Sequence, residues 1–189
     1  MRRQHFIGIV CAIGAAILAF DAFSGAQGRA ETFTADATVV RPNGTVASAK
    51  LTAVIESFAT EEDRDTVIAA LKKGGTAARD LLASSKNVGS IQVGATPTPV
   101  KYAYARPVGS GRLITLVTAE PIHFVGGDLP DAKPKAGYDF GLVLLDVSGP
   151  QPGHGEVAPA ARVRVDAQNA IVTEDYGAEV VRLSNVVRQ

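Results

Sequence analysis

TFTADATVVRPNGTVASAKLTAVIESF, residues 32–58, is the stretch of sequence that decides the fold. Apolar and polar residues alternate with a period of two before and after Asn43-Gly44, which is the pattern of strands with one buried face. Asn-Gly between two such runs is a strong signal for a β-hairpin, because both residues tolerate the positive φ that a tight turn requires. The sequence therefore predicts an antiparallel hairpin here.

Residues 60–85 form the one stretch with a helical pattern. Thr60 is a favourable N-cap, and acidic residues follow it in the first turn, where the helix dipole favours negative charge. Apolar residues recur at helical spacing on both sides of Gly74-Gly75, which predicts two short helices separated at these glycines. The leucines that we expect to be buried against the sheet are Leu71, Leu81 and Leu82.

The remainder of the chain returns to strand patterns. We predict further strands at residues 90–93, 100–108, 112–119, 122–125, 138–147, 161–166, 170–174 and 179–187. Two Gly- and Pro-rich stretches, residues 126–137 and 148–159, are predicted to be long loops. The expected fold is a single α+β domain over residues 31–189, with a mostly antiparallel, curved or barrel-like sheet of about nine or ten strands.

The N-terminal residues 1–30 have the pattern of a secretory signal peptide. Arg2 and Arg3 precede an apolar run at residues 6–20, and small residues follow it up to Ala30. We predict cleavage after Ala30, although cleavage after Ala26 also satisfies the small-residue rule. An uncleaved membrane anchor and export by the twin-arginine route are the alternatives. The expected location is periplasmic or secreted, with no membrane span after cleavage.

Charge and cysteine content exclude several classes of function. Residues 1–30 hold three of the 19 basic and one of the 19 acidic residues, so the remainder has a formal charge of −2. A formal charge of −2 gives no excess of positive charge that would attract nucleic acid. The single cysteine, Cys11, lies within the predicted signal peptide. Disulfides, cysteine metal sites and cysteine nucleophiles are therefore excluded from the mature part.

Seven short motifs give the mature chain a resemblance to a family of exported bacterial proteins of unknown function. They are VGSI at 88–91, KYAYA at 101–105, GRLI at 111–114, TAEPI at 118–122, YDF at 138–140, GHGE at 153–156 and RLSNV at 182–186. The resemblance covers most of the mature chain and implies export and a single α+β domain. It assigns no activity and no functional residue.

Aromatic residues give the candidate ligand-binding site. A curved sheet that wraps a helix often leaves a cavity for a small apolar ligand, although core packing is the usual role of such residues. The residues that we expect to line a shared apolar interior are Tyr102, Tyr104, Phe124, Tyr138 and Phe140. The sequence thus favours an exported, non-enzymatic binding domain of the cell envelope, whose partner is a small apolar molecule or an envelope protein.

Histidines and carboxylates give the alternative hypotheses. His154 and Glu156 form an H-x-E pair, and with His123 they make three side chains of the types that bind zinc. Nothing in the sequence brings His123 to that pair, so we predict no metal and no cofactor, with His154 exposed in a mobile loop. The alternative to a binding domain is an envelope hydrolase that uses loop carboxylates and His154.

Overall fold

The structure, a computed structural model, describes residues 30–41, 43–124, 129, 135–149 and 152–189. Apart from Ala30, the predicted signal peptide at residues 1–30 lies outside the described residues, and so does most of the predicted loop at 126–137. Within the described part of the chain, no helix is long and apolar enough to cross a membrane.

Ten antiparallel strands and two helices make up the described residues, which confirms the predicted α+β fold. The elements are β1 (Glu31–Val40), β2 (Val46–Ile55), α1 (Glu61–Lys73), α2 (Gly75–Ser84), β3 (Gly89–Val93), β4 (Pro97–Val100), β5 (Tyr102–Val108), β6 (Gly111–Thr118), β7 (Phe140–Asp146), β8 (Gly153–Val165), β9 (Ile171–Tyr176) and β10 (Val181–Arg188).

The strands form one sheet that is nearly closed into a barrel. Its order is β4-β3-β2-β1-β10-β8-β7-β6-β5, and β9 pairs with β8 outside this path. The end strands β4 and β5 are consecutive in the chain, with Lys101 alone between them. The amide of Lys101 donates to the Val117 carbonyl at 2.9 Å, and the amide of Val88 donates to the Val100 carbonyl at 2.9 Å. The first bond joins Lys101 to β6, and the second joins Val100 to the residue before β3, so the chain at residues 100–101 links the two ends of the sheet.

The hairpin predicted around Asn43-Gly44 is confirmed. β1 and β2 pair without a break from Glu31 opposite Ile55 to Val40 opposite Val46. Gly44 has a φ of 81°, and the Asn43 side chain accepts a hydrogen bond from the Thr45 amide at 3.1 Å. Because the side-chain period of a strand is two, this register sets which residues of β1 and β2 face the barrel interior.

The sheet buries side chains on both of its faces. The interior of the barrel is filled by large apolar side chains, among them Phe33, Leu51, Ile91, Ile114 and Leu116. On the outer face, the helices cover a second core, which includes Val67, Leu82, Tyr102, Phe140 and Leu142. The apolar residues on both faces of β7 follow from its place between these two cores.

The first helix begins and ends where the sequence predicts, and the second begins within the glycine pair, at Gly75. Thr60 and Asp63 form a reciprocal capping box at the start of α1, with the Thr60 hydroxyl 3.1 Å from the Asp63 amide. Gly74 separates the helices with a φ of 129°. Leu82 is buried with 2 % of its surface exposed, as expected, whereas Leu71 and Leu81 pack against the core only partly buried.

The prediction of a loop over residues 148–159 is wrong, because β8 begins at Gly153. Gly155 pairs with Leu145 of β7, and Gly153 is the first residue of β8 and pairs with Val186 of β10, so neither is a turn residue. A Cβ atom at Gly153 would collide with the Asp146 carbonyl oxygen, and one at Gly155 would collide with the Leu144 carbonyl oxygen. These glycines allow two strands to approach closely. The sequence alone does not distinguish such glycines from the glycines of a loop.

Two further strand predictions differ from the structure. Residues 122–124 are not a strand; instead, the Ile122 amide donates to the Pro159 carbonyl at 2.8 Å, and the side chains of Ile122 and Phe124 are buried in the interior core. Conversely, β4 was not predicted, because it contains Pro97 and Pro99. Proline cannot donate to a ladder and is tolerated at an end strand such as β4.

We expect Leu82→Ala to lower the free energy of unfolding by about 2–5 kcal/mol, because it leaves a cavity between α2 and the sheet. Leu71→Ala removes the same atoms from a partly buried position and is the matched comparison; its loss is expected to be clearly smaller. Urea unfolding of both variants measures the difference. Equal losses would contradict this assignment of the outer core.

Candidate ligand-binding site

The five aromatic residues predicted to share one interior lie in three separate clusters. Phe124 is in the barrel interior. Tyr102 and Phe140 are in the outer core, with Tyr104 packed at its margin. Tyr138 packs with Ala160 in a third cluster. The expectation of a shared interior is wrong because Tyr102 and Tyr104 alternate with Ala103, and it is Ala103 that faces the interior.

Tyr102 and Tyr104 nevertheless line a cavity, which lies on the outer face of the sheet. This cavity, here called the tyrosine slot, has a volume of about 140 Å³. One wall is the outer face of β5, β6 and β7, with the side chains of Tyr102, Tyr104, Leu113, Thr115 and Leu144. The other wall is the β8–β9 turn and the start of β9, from Asp166 to Val172. Arg64 and Arg106 complete the lining.

The β8–β9 turn is held over the slot by its own side chains and by α1. The Asp166 carboxylate accepts hydrogen bonds from the amides of Gln168 at 2.9 Å and Ala170 at 2.8 Å. Asn169 takes a left-handed conformation with a φ of 54°. Arg64 of α1 donates to the Asn169 carbonyl at 3.2 Å, and Lys72 donates to the Asn169 side chain at 2.9 Å. Helix and turn are thereby joined at one residue.

The tyrosine wall is fixed by stacking and by a charged pair. The rings of Tyr102 and Tyr104 stack with centroids 6.4 Å apart and an interplanar angle of 17°. The Arg64 guanidinium lies 5.4 Å from the centroid of the Tyr104 ring and 3.1 Å from the Glu61 carboxylate. The Tyr104 hydroxyl donates to Glu61 at 2.6 Å, which is the main cause that lowers the pKa of Glu61.

Phe140 lines a second cavity, a wider groove of about 500 Å³ between the α1–α2 junction and β8–β9. Charged side chains of both signs line this groove: Lys72, Asp139, Arg162, Arg164 and Glu174. Tyr138 lies beside it, with Lys135 4.5 Å and Arg162 5.0 Å from its ring centroid. Its hydroxyl donates to the Asp175 carboxylate. Tyr138 is therefore engaged by charged groups and offers no apolar binding face.

The structure does not bring together the residues considered as metal ligands. His154 lies on β8 with 78 % of its side chain exposed, and Glu156 lies two residues further along the same strand. His123 lies in the irregular segment that follows β6, at residues 119–124. Within the described part of the chain, no group of three His, Cys, Asp or Glu side chains has an arrangement that could hold a metal ion.

His154 does meet a carboxylate, which sequence reasoning missed. Its Nε2 atom is 3.6 Å from Asp146 Oδ2, on the neighbouring strand β7. The Ser148 hydroxyl and the Ser148 amide, the latter at 3.0 Å, both donate to the other Asp146 oxygen. These bonds, and then the His154 charge, lower the pKa of Asp146.

The order of these three groups is not that of a Ser-His-Asp triad. A nucleophilic serine requires a histidine between its hydroxyl and the carboxylate, so that the imidazole accepts the proton. Here the Asp146 carboxylate lies between Ser148 and His154. Because its pKa is lowered, Asp146 is ionised at neutral pH and cannot serve as a general acid. The arrangement is a carboxylate that accepts two hydrogen bonds from Ser148 at the end of β7, with the His154 imidazole beside it.

Two slot residues that the sequence did not single out carry the polar chemistry of the site. Arg106 lies on β5 two residues after Tyr104, and Arg64 lies on α1. The alternation of Tyr102, Tyr104 and Arg106 along β5 is a signal that places all three on one face. No such signal links Arg64 to β5, because the two elements are brought together only by the fold.

We expect Ser148→Ala to raise the pKa of Asp146 towards its ordinary value, because the variant loses the hydroxyl that makes the largest contribution to the lowering. His154→Ala, which removes only the smaller charge interaction, is expected to raise it less. Carboxyl-carbon NMR titrations of both variants measure the two shifts. A larger effect for His154→Ala would make the imidazole the principal partner of Asp146 and would favour the hydrolase hypothesis.

Comparison with known proteins places the chain in no family. No family model matches it, and no curated protein or solved structure has a significant match to it. The resemblance to a family of exported bacterial proteins therefore stays a prediction.

Proposed function

We propose that this chain is an exported, non-enzymatic binding domain of the cell envelope, and that it takes a small apolar ligand in the tyrosine slot. The observation that carries the proposal is the slot itself, about 140 Å³ of space between the stacked Tyr102 and Tyr104 rings and the β8–β9 turn. A cavity of about 150 Å³ lined by apolar side chains is large enough to take benzene. A single-ring molecule is therefore the expected size of ligand.

The walls of the slot are built to keep their shape. The Tyr104 ring is held by Arg64 and Glu61, and the Tyr102 ring stacks on it. The opposite turn is held by Asp166 and by the bonds from α1 to Asn169. Side chains that are already ordered lose little conformational freedom when a ligand arrives. A preformed cavity with apolar walls and a few fixed polar groups is the usual form of a small-molecule site.

A protein partner has weaker support in the structure. The most exposed large apolar side chains are Val40 and Val46, at 63 % and 62 %, which lie opposite each other at the tip of the β1–β2 hairpin. Stable protein interfaces bury about 800 Å² on each partner, many times the area of two valine side chains. The slot is thus the better candidate than this hairpin tip.

We expect phenol, as a neutral single-ring probe, to bind in the slot and shift the NMR signals of Tyr102, Leu144 and Ile171. Ala170→Phe fills the slot and is expected to abolish these shifts. Both hydrogen bonds of Ala170 with Asp166 use its backbone, so the turn is retained in the variant. The control is Ala95→Phe, which adds the same ring at an exposed position in the β3–β4 turn.

Two results would contradict the proposed site. Phenol shifts that persist in Ala170→Phe would place the probe elsewhere, and shifts absent from the wild-type protein would show that the slot admits no ring. Native mass spectrometry of protein purified from bacterial periplasm tests the same proposal without a chosen probe, because it detects a ligand that co-purifies.

We expect the full chain, produced in a Gram-negative bacterium, to be recovered from the periplasm with a mature N-terminus at Glu31. The reason is the basic, apolar and small-residue pattern of residues 1–30. N-terminal sequencing of the recovered protein measures the cleavage site, and a start at Gln27 would indicate the alternative site after Ala26. An intact N-terminus at residue 1 in the cytoplasmic fraction would refute export.

A further inference from the structure

Arg106 is an exposed cation on the rim of the slot. It shares the outer face of β5 with Tyr102 and Tyr104, and it lines the slot. Among the described residues, none forms a hydrogen bond or ion pair with its guanidinium. Arg64, the other arginine of the slot, is bound to Glu61 at 3.1 Å and to the Asn169 carbonyl at 3.2 Å. Arg106 is thus the cation available to a ligand.

Tyr102, which also lines the slot, carries a hydroxyl group. The residue is buried with 4 % of its surface exposed, and within the described part of the chain nothing forms a hydrogen bond with its hydroxyl. The hydroxyl oxygen is not among the enclosed side-chain atoms that lack a partner, so solvent or a ligand can reach it, and it can donate a hydrogen bond. Burial raises the pKa of Tyr102 well above its ordinary value, which keeps the hydroxyl protonated as a donor.

The acidic groups at the slot are already engaged. Asp166 lines the slot, but its carboxylate accepts the amides of Gln168 and Ala170. Glu61 lies beside the slot and accepts from the Tyr104 hydroxyl and from Arg64. These carboxylates are therefore structural groups. Of the charged groups that line the slot, the Arg106 guanidinium is the one with no hydrogen bond or ion pair to another described residue. The Tyr102 hydroxyl, the Thr115 hydroxyl and the Gln168 side chain are neutral groups of the same lining. A guanidinium and a hydroxyl both donate hydrogen bonds, and donors recognise an anion or an acceptor oxygen.

We propose that the ligand of the slot is a single-ring aromatic carboxylic acid, with its ring against Tyr102 and Tyr104 and its carboxylate paired with Arg106. This inference rests on the proposed function and narrows its ligand class. The volume admits one ring, and stacking or edge contacts with tyrosine favour an aromatic one. The planar guanidinium of arginine matches a carboxylate with two parallel hydrogen bonds. An oxygen substituent on the ring, opposite the carboxylate, accepts the hydrogen bond from the Tyr102 hydroxyl.

The test compares four probes that share one ring: benzoate, 4-hydroxybenzoate, neutral phenol and cationic benzylamine. For the full folded chain we expect both acids to bind at least about tenfold more tightly than phenol, and benzylamine to bind least, as measured by NMR titration. Arg106→Gln is expected to remove the advantage of benzoate over phenol and to leave phenol binding unchanged. The control Arg164→Gln, which removes an exposed strand arginine that lines the other cavity, is expected to change neither affinity.

Tyr102→Phe tests the second contact. The variant keeps the ring and removes only the hydroxyl, so we expect weaker binding of 4-hydroxybenzoate and unchanged binding of benzoate. The ratio of the two affinities is the readout, because a general loss of structure would weaken both acids alike. An equal loss for both would show that Tyr102 supports the wall and does not donate to the ligand.

The outcomes separate this inference from the function on which it rests. Phenol binding as tight as benzoate, or an advantage of benzoate that survives Arg106→Gln, would overturn the carboxylate assignment and leave the apolar site intact. Tighter binding of benzylamine would overturn it in the same way and point to the carboxylate of Asp166. Failure of all four probes to bind would overturn both proposals together.

Discussion

The period of two along β5, β6 and β7 controls how this molecule is put together. One set of side chains enters the barrel, and the other set faces outwards and must be covered by α1 and α2. Along β5 the outward set changes from buried to exposed, because Tyr102 lies beneath the helices, Tyr104 lies at their margin and Arg106 lies beyond them. The tyrosine slot lies on this stretch of the outer face.

The outer face of β5 at the edge of the helices becomes a cavity because the β8–β9 turn extends over it. Lys72 and Arg64, two turns apart on α1, both bind Asn169, whose positive φ presents its carbonyl and side chain to the helix. An asparagine tolerates that conformation better than most residues, because its short polar side chain forms local hydrogen bonds. Helix, turn and tyrosine wall are consequently one structural unit, and a change in any of them alters the slot.

The sequence was informative where local chemistry decides the structure. The Asn43-Gly44 turn and the Thr60 cap are local signals, and each predicts its element correctly. It misled where the same residue type serves two purposes: Gly153 and Gly155 resemble loop glycines, yet they allow strands to approach closely. The same limit explains the proline-containing β4, whose place at the end of the sheet is a property of the whole fold.

The candidate site was predictable only in part, for a geometric reason. The alternation of β5 puts Tyr102, Tyr104 and Arg106 on one face, and that much can be inferred from spacing. Which face is covered depends on the closure of the barrel and on bulges such as the one that shifts the register between Phe140 and Leu142. The partner residues Arg64 and Asn169 are 105 positions apart in the chain, so no local pattern relates them.

The ionisation states around the slot follow from the same contacts. Glu61 and Asp63, at the start of α1, both have pKa values lowered in the folded protein, mainly by the Tyr104 hydroxyl and by the Thr60 amide respectively. A lowered pKa stabilises the fold above the ordinary range of carboxylates, at about 4, and this contribution is lost as the pH falls through the folded value. The described lining of the slot includes no histidine. Histidine is the side chain whose ordinary pKa lies between about pH 5 and 8, so the described lining holds no side chain of that kind.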